Sequence, residues 1–168
     1  MKIGILSDTH NHRANTEQAL AALRERGVER LIHCGDITTP EIVYLFAGWT
    51  MTFVWGNMDH ARADLISATR HIGAMPPAFS QQIEVDGKLI GVTHGHDQSL
   101  LAGMIISGKY AYICYGHTHH RLDEFRRPYS VRVINPGALG GSFPQARSVA
   151  VLDVLTDTVE FLVFPEMG

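Results

Sequence analysis

Lys2-Ile3-Gly4-Ile5-Leu6-Ser7-Asp8-Thr9-His10 is an apolar run of strand length that ends at once in a polar loop carrying an aspartate and a histidine. The same event recurs: Leu31 to Cys34 is followed by Gly35-Asp36, and Met51 to Trp55 by Gly56-Asn57-Met58-Asp59. Between the runs lie helical patterns. Asn15-Thr16-Glu17-Gln18 offers a capping start to a helix over about 15–26, with Ala19, Leu20 and Leu23 on one side and Gly27 beyond its end. Thr39-Pro40-Glu41 supplies an N-cap with proline at the first helical position. This βαβαβ alternation implies a parallel sheet covered by helices, with ligands outside the carboxyl ends of the strands.

The second half changes character. Gln81 to Val85 and Lys88 to Val92 flank Asp86-Gly87, a type I′ hairpin signal, so the sheet is expected to turn antiparallel. A helix over about Ser99 to Ser107 ends at Gly108, and Tyr110 to Tyr115 is a further strand. Leu122 to Phe125, Val131 to Ile134, Val149 to Val154 and Val159 to Phe164 then alternate with turns at Arg127-Pro128, Pro136-Gly137 and Thr156-Asp157. Two sheets packed face to face with helices outside accommodate this count. No repeat or linker interrupts the chain, so residues 1–168 read as one domain.

The composition suits a globular chain that buries a core: 168 residues, 45% hydrophobic and 18% charged. A net charge of -3 gives no electrostatic footprint for a nucleic-acid polymer or an anionic membrane. No secretory signal is expected, because the first strand leaves no room for one, and the apolar stretch Val43 to Trp55 falls short of the roughly 20 residues of a membrane helix. Cys34 and Cys114 form no CxxC pair and read as buried thiols, which makes a reducing cytoplasm the simplest setting. Histidine stands out, with ten in the chain, most of them in short polar loops.

Five loops, each after a predicted strand, carry the chemistry: Asp8-Thr9-His10, Gly35-Asp36, Gly56-Asn57-Met58-Asp59, His94-Gly95-His96 and Gly116-His117-Thr118-His119. If their strands share a sheet edge, the loops converge. Oxygen and imidazole ligands suit borderline divalent ions such as Mn, Fe, Ni or Zn. Asp8 and His10, two apart on an extended segment, can point to one side and grip one ion, and His117 and His119 repeat the spacing. Taken singly, each motif is an ordinary capped turn. All five in this order imply metal binding.

The series D-x-H, G-D, G-N-x-D, H and G-H-x-H, from Ile5 to His119, resembles the signature of the calcineurin-like metallophosphoesterases. It is most similar to their small bacterial and archaeal phosphodiesterases, which share a segment like Asn135-Pro136-Gly137. The resemblance implies a four-layer αββα sandwich of two mixed sheets. It implies two divalent ions, manganese first, with Fe, Ni, Zn or Mg as alternatives. It places Asp8, His10 and His119 on one ion, Asn57, His94 and His117 on the other, and Asp36 between them. It also implies self-association as a dimer or tetramer.

The expected reaction is hydrolysis of a small phosphate ester by in-line attack of a metal-bridging hydroxide, with Asp36, Asn57, Asp59 and His96 as catalytic residues. Two divalent ions, two carboxylates and a hydroxide leave one positive charge, which matches a diester monoanion. Many relatives read G-N-H-D, where the histidine protonates the leaving group; here Met58 cannot. Either His60 or His96 supplies that proton, or His60 is a solvated loop histidine and His96 bonds a loop carbonyl. Arg121 either clamps a phosphate oxygen or starts a surface strand, and His12, His33 and His71 belong to no motif. The alternatives are a phosphomonoesterase or nucleotide pyrophosphatase with the same metals, and a non-catalytic scaffold like the retromer subunit.

Overall fold

Strand β1 (Lys2–Leu6) is buried on both faces, because Ile3 and Ile5 point to one side while Gly4 and Leu6 lie against Leu23 and Leu31 on the other. A strand so enclosed belongs in the middle of a layered fold. In a computed structural model, which describes residues 1–141 and 146–165, it does. Helix α1 (Arg13–Glu25), strand β2 (Arg30–His33), helix α2 (Pro40–Tyr44) and strand β3 (Thr50–Phe53) follow, and β1, β2 and β3 pair in parallel as the alternation predicts. Helix α3 (Arg62–His71) comes next.

The hairpin forms at the expected place. Strands β4 (Ser80–Val85) and β5 (Lys88–Thr93) pair with Val85 opposite Lys88, and Asp86 and Gly87 both adopt positive φ, as a type I′ turn requires. Helix α4 (Gln98–Ile106) is capped by the Asp97 carboxylate, which accepts the Leu100 N–H at 2.9 Å. Strands β6 (Tyr112–Cys114), β7 (Arg121–Arg126), β8 (Val131–Pro136), β9 (Arg147–Asp153) and β10 (Thr158–Phe164) complete the chain.

Two five-stranded sheets result, ordered β10-β9-β1-β2-β3 and β4-β5-β6-β8-β7. Between them Ile3, Ile5, Ile32 and Leu152 meet Ile90, Val92 and Ile134. Outside the first sheet, Leu20, Leu23, Phe46 and Leu65 pack beside Leu31 and Phe53. Outside the second, Met104 of α4 covers Ile113 and Val133. These are the layers of an αββα sandwich, and each fully buried aliphatic side chain contributes roughly 1.5–3 kcal/mol to holding them together.

Three expectations need correction. The second sheet is not simply antiparallel: β5, β6 and β8 run parallel, and only the hairpin partner β4 and the return strand β7 oppose them. Helix α1 starts at Arg13, ahead of the anticipated capping residues. The Asn15 amide instead donates to the Leu139 carbonyl at 2.6 Å, and the Thr16 hydroxyl to the His12 carbonyl. Helix α3 was not anticipated; its N-cap position is Ala61, which has no capping oxygen, and burial of Leu65 and Ala68 holds it. No helix among the described residues is long and apolar enough to cross a membrane.

Candidate metal centre

The five marked loops meet at one end of the sandwich. They do so from two sheets rather than along one sheet edge, since β1, β2 and β3 belong to the first and β5 and β6 to the second. Backbone bonds knit them: the Asp8 N–H donates to the Gly35 carbonyl at 3.0 Å, His10 to Asp36 at 3.1 Å and Gly116 to His94 at 2.9 Å. Glycine is required where the loops touch, because a Cβ on Gly56 would collide with the Asp36 carboxylate and one on Gly116 with Ser7 Oγ.

Asp8 and His10 do not converge from an extended segment. Both have positive φ, as do Asp36, His117 and His119. Left-handed backbone is strained for such residues and persists only where surrounding contacts impose it. The tight turns it makes bring one Asp8 oxygen, Oδ1, to 3.2 Å from His119 Nε2, 3.7 Å from His10 Nε2 and 4.0 Å from His94 Nε2. Asp36 Oδ2 sits 3.6 Å from His10 Nε2 and 3.4 Å from His94 Nε2. Two ligand groups emerge, Asp8-His10-His119 and Asp8-Asp36-His94. Asn57 Oδ1 reaches His94 Nε2 at 3.0 Å. His117 and His119 separate rather than share a position: the exposed His117 ring lies 5.1 Å from that of His94 and belongs to neither group.

The donor set fits a cation. Asp8 Oδ2 accepts from the Ser7 hydroxyl and the His117 N–H, but the buried Oδ1 has no hydrogen-bond partner, an arrangement that costs about 1–3 kcal/mol if nothing fills it. His94 Nδ1 lies 2.6 Å from the Cys34 carbonyl and must therefore donate to it. In the neutral ring, Nε2 is left as a lone pair facing carboxylate oxygens, which coordination by an ion resolves.

The electrostatics agree. Burial opposes ionisation of Asp8, but the His10 and His119 rings facing it outweigh this and hold the carboxyl below its usual range. The Asp8 bond raises His10; burial lowers His94 but Asp36 and Asp8 raise it further; burial lowers His117. Histidines that retain protons beside carboxylates are sites where an ion can replace the protons.

Several other residues form the frame. Asp59 is buried, and its carboxylate accepts three backbone N–H groups, from Asp36 at 3.0 Å, Gly56 at 2.7 Å and Thr38 at 2.8 Å. Both its oxygens are thus turned to the loop backbone. His33, which has no motif, is fully buried behind the site: Nδ1 accepts the Gly35 N–H and Nε2 meets Thr9 Oγ1 at 3.1 Å. Burial pushes its pKa down to about 3, so it is a neutral structural imidazole. Asn135 donates to the Gly116 carbonyl and Thr118 Oγ1, which bolts the last histidine loop to β8.

An open cleft of about 760 Å³ covers the centre, and His12, Met58, Thr118, His120 and Gly141 line it beside the ligand residues. His60, His96 and Arg121 are exposed and lie outside that lining, although the His96 ring is 5.4 Å from that of His94. His12 carried no signal in the sequence, because nothing local shows that the turn after β1 aims it into the cleft. Trp55 and Phe53 are core residues, and Trp49 is half-buried under Arg24.

Comparison with known proteins agrees with this architecture. Residues 1–157 match the calcineurin-like phosphoesterase superfamily domain. A curated phosphodiesterase of Methanocaldococcus jannaschii is 36% identical over 157 residues, spanning 91% of this chain and 93% of its own length. A solved structure of an archaeal phosphodiesterase superposes with a TM-score of 0.90 at 34% identity, covering 98% of this chain and 100% of that one. Vps29 of Entamoeba histolytica superposes with a TM-score of 0.70 at 19% identity over 98% of each chain, a likeness of fold alone.

Proposed function

The chain belongs to the calcineurin-like phosphoesterase superfamily, and from that premise we propose that it is a dinuclear metal-dependent hydrolase acting on phosphodiesters. The observation that carries the reading is the bare Asp8 Oδ1, buried without a partner and faced by the Nε2 atoms of His119, His10 and His94. Asp8, His10 and His119 would hold one ion; His94, Asn57 and His117 the other; Asp36, whose Oδ2 lies between His10 and His94, both. Divalent ions held by these residues would supply an acidified water as nucleophile and neutralise the phosphoryl oxygens.

The chain's own residues set the rest. The Met58 N–H holds Asp36 Oδ1 at 2.8 Å and so turns Oδ2 towards the histidines. Asp59 is a positioning residue that holds the Asp36 loop by its backbone. The Met58 side chain, 45% exposed at the cleft, carries no proton, which favours diesters and leaving groups that depart without help. Against a non-catalytic scaffold stands a ligand-competent side chain at every motif position.

Rates on bis-p-nitrophenyl phosphate and p-nitrophenyl phosphate, with Mn²⁺ and after chelation, test the proposal. The diester should be preferred and chelation should abolish turnover. Preference for the monoester would favour a phosphomonoesterase, and turnover unaffected by chelation would remove the metal mechanism.

A further inference from the structure

Leu139, Gly140 and Gly141, which follow β8, lie beside the loop that carries Asp8 and His10 and beside His119. The Leu139 N–H donates to the Ser7 carbonyl at 3.2 Å and the Gly140 N–H to the Asp8 carbonyl at 2.7 Å. Gly140 lies so close to the Thr9 carbonyl that a Cβ there would collide with it. Gly141 adopts a φ of +96°, and a Cβ built on it would lie 2.9 Å from His119 Cε1 and 3.7 Å from His10 Cδ2. Gly141, having no such atom, forms a close-fitting wall beside both imidazoles.

What fixes this wall from behind is Arg147, at the start of β9. Its side chain is buried, with Nη1 donating to the Gly140 carbonyl at 2.6 Å and Nη2 to the Gly141 carbonyl at 2.9 Å. Among the described residues no carboxylate pairs with it. A buried guanidinium spent on two successive carbonyls is unusual, since apolar packing would fill the same space without desolvating a charge. The planar fork presents its two N–H groups to both carbonyls in a fixed geometry, which the flexible, more strongly hydrated lysine ammonium does not reproduce.

We propose that Arg147 is a positioning residue for the Asp8-His10-His119 site: by clamping the Gly140 and Gly141 carbonyls it presses the glycine wall against His10 and His119 and holds their Nε2 atoms 3.4 Å apart. The inference rests on the reading of those residues as metal ligands. Outer contacts that fix ligating rings typically change metal affinity by roughly 10- to 100-fold. The effect should be directional, because the atoms nearest the open side of Gly141 belong to His119 and His10.

The test is titration of the metal-free protein with Mn²⁺, following both binding steps by calorimetry, and with Co²⁺, following its visible absorption. For Arg147→Met one step should weaken by roughly 10- to 100-fold while the other holds, and Arg147→Lys should recover only part of the loss. Gly141→Ala keeps the arginine but pushes on His119, so it should weaken the same step even if Arg147→Met fails to fold. Equal weakening of both steps with a lowered Tm would mean that Arg147 only supports the fold, and unchanged isotherms in folded variants would likewise overturn the proposal. A wild-type protein that binds neither ion would instead remove the metal-site reading beneath it.

Discussion

The carboxylate of Asp59 accepts the backbone N–H of Asp36 at 3.0 Å, so one loop motif holds another by its main chain. The same carboxylate takes the Gly56 and Thr38 N–H groups, and an asparagine amide cannot accept all three. Asp59→Asn should therefore leave one backbone donor facing an amide NH2 group and lower the stability of the metal-free protein by about 1–3 kcal/mol. Urea unfolding measures this, and an unchanged midpoint would mean that the carboxylate does not hold the loop.

Asp36 Oδ2 stands between His10 and His94, where the proposed function has it hold both ions. Asp36→Asn removes a charge shared by both ion positions and should lower activity by at least about 100-fold together with metal content. A variant that stays active and metal-replete would refute the bridging role.

The pKa values of His10 and His94 are raised in the metal-free site, His10 by its bond to Asp8 and His94 by Asp36 and Asp8 against the effect of burial. A raised value means that protons compete with metal to a higher pH than an ordinary imidazole allows, so apparent metal affinity should climb with pH and level off only above those values. Activity should fall on acidification, and saturating Mn²⁺ should restore part of it. If loss is the same at saturating metal, another group is titrating.

Met58 occupies the position from which the G-N-H-D form of the family protonates the leaving group, and it lines the cleft. Met58→His should raise kcat/KM on alkyl phosphodiesters by up to roughly 100- to 10,000-fold while p-nitrophenyl esters change little. The leaving-group dependence of both proteins decides the matter. Equal shallow slopes would show that a histidine already present supplies the proton.

Elements with local causes, and the residue types that meet at the centre, are legible along the chain. The parallel β1, β2 and β3, the Asp86-Gly87 hairpin and the α4 stop at Gly108 follow from periodicity and turn chemistry, and the order of aspartates, histidines and asparagine marks the five loops. The tertiary structure alone decided how those residues face one another. Left-handed φ at Asp8 and His10 comes with bonds to the distant Gly35 and Asp36 carbonyls, and at His117 with a bond to the Asp8 carboxylate, so spacing in an extended chain did not reveal that His117 and His119 would part. The parallel pairing of β6 with β5 and β8 is likewise invisible to alternation, which reports exposure and not strand direction. Nor do His33 and Arg147 announce themselves, because their roles lie in hydrogen bonds to loop groups that only the folded sandwich brings within reach.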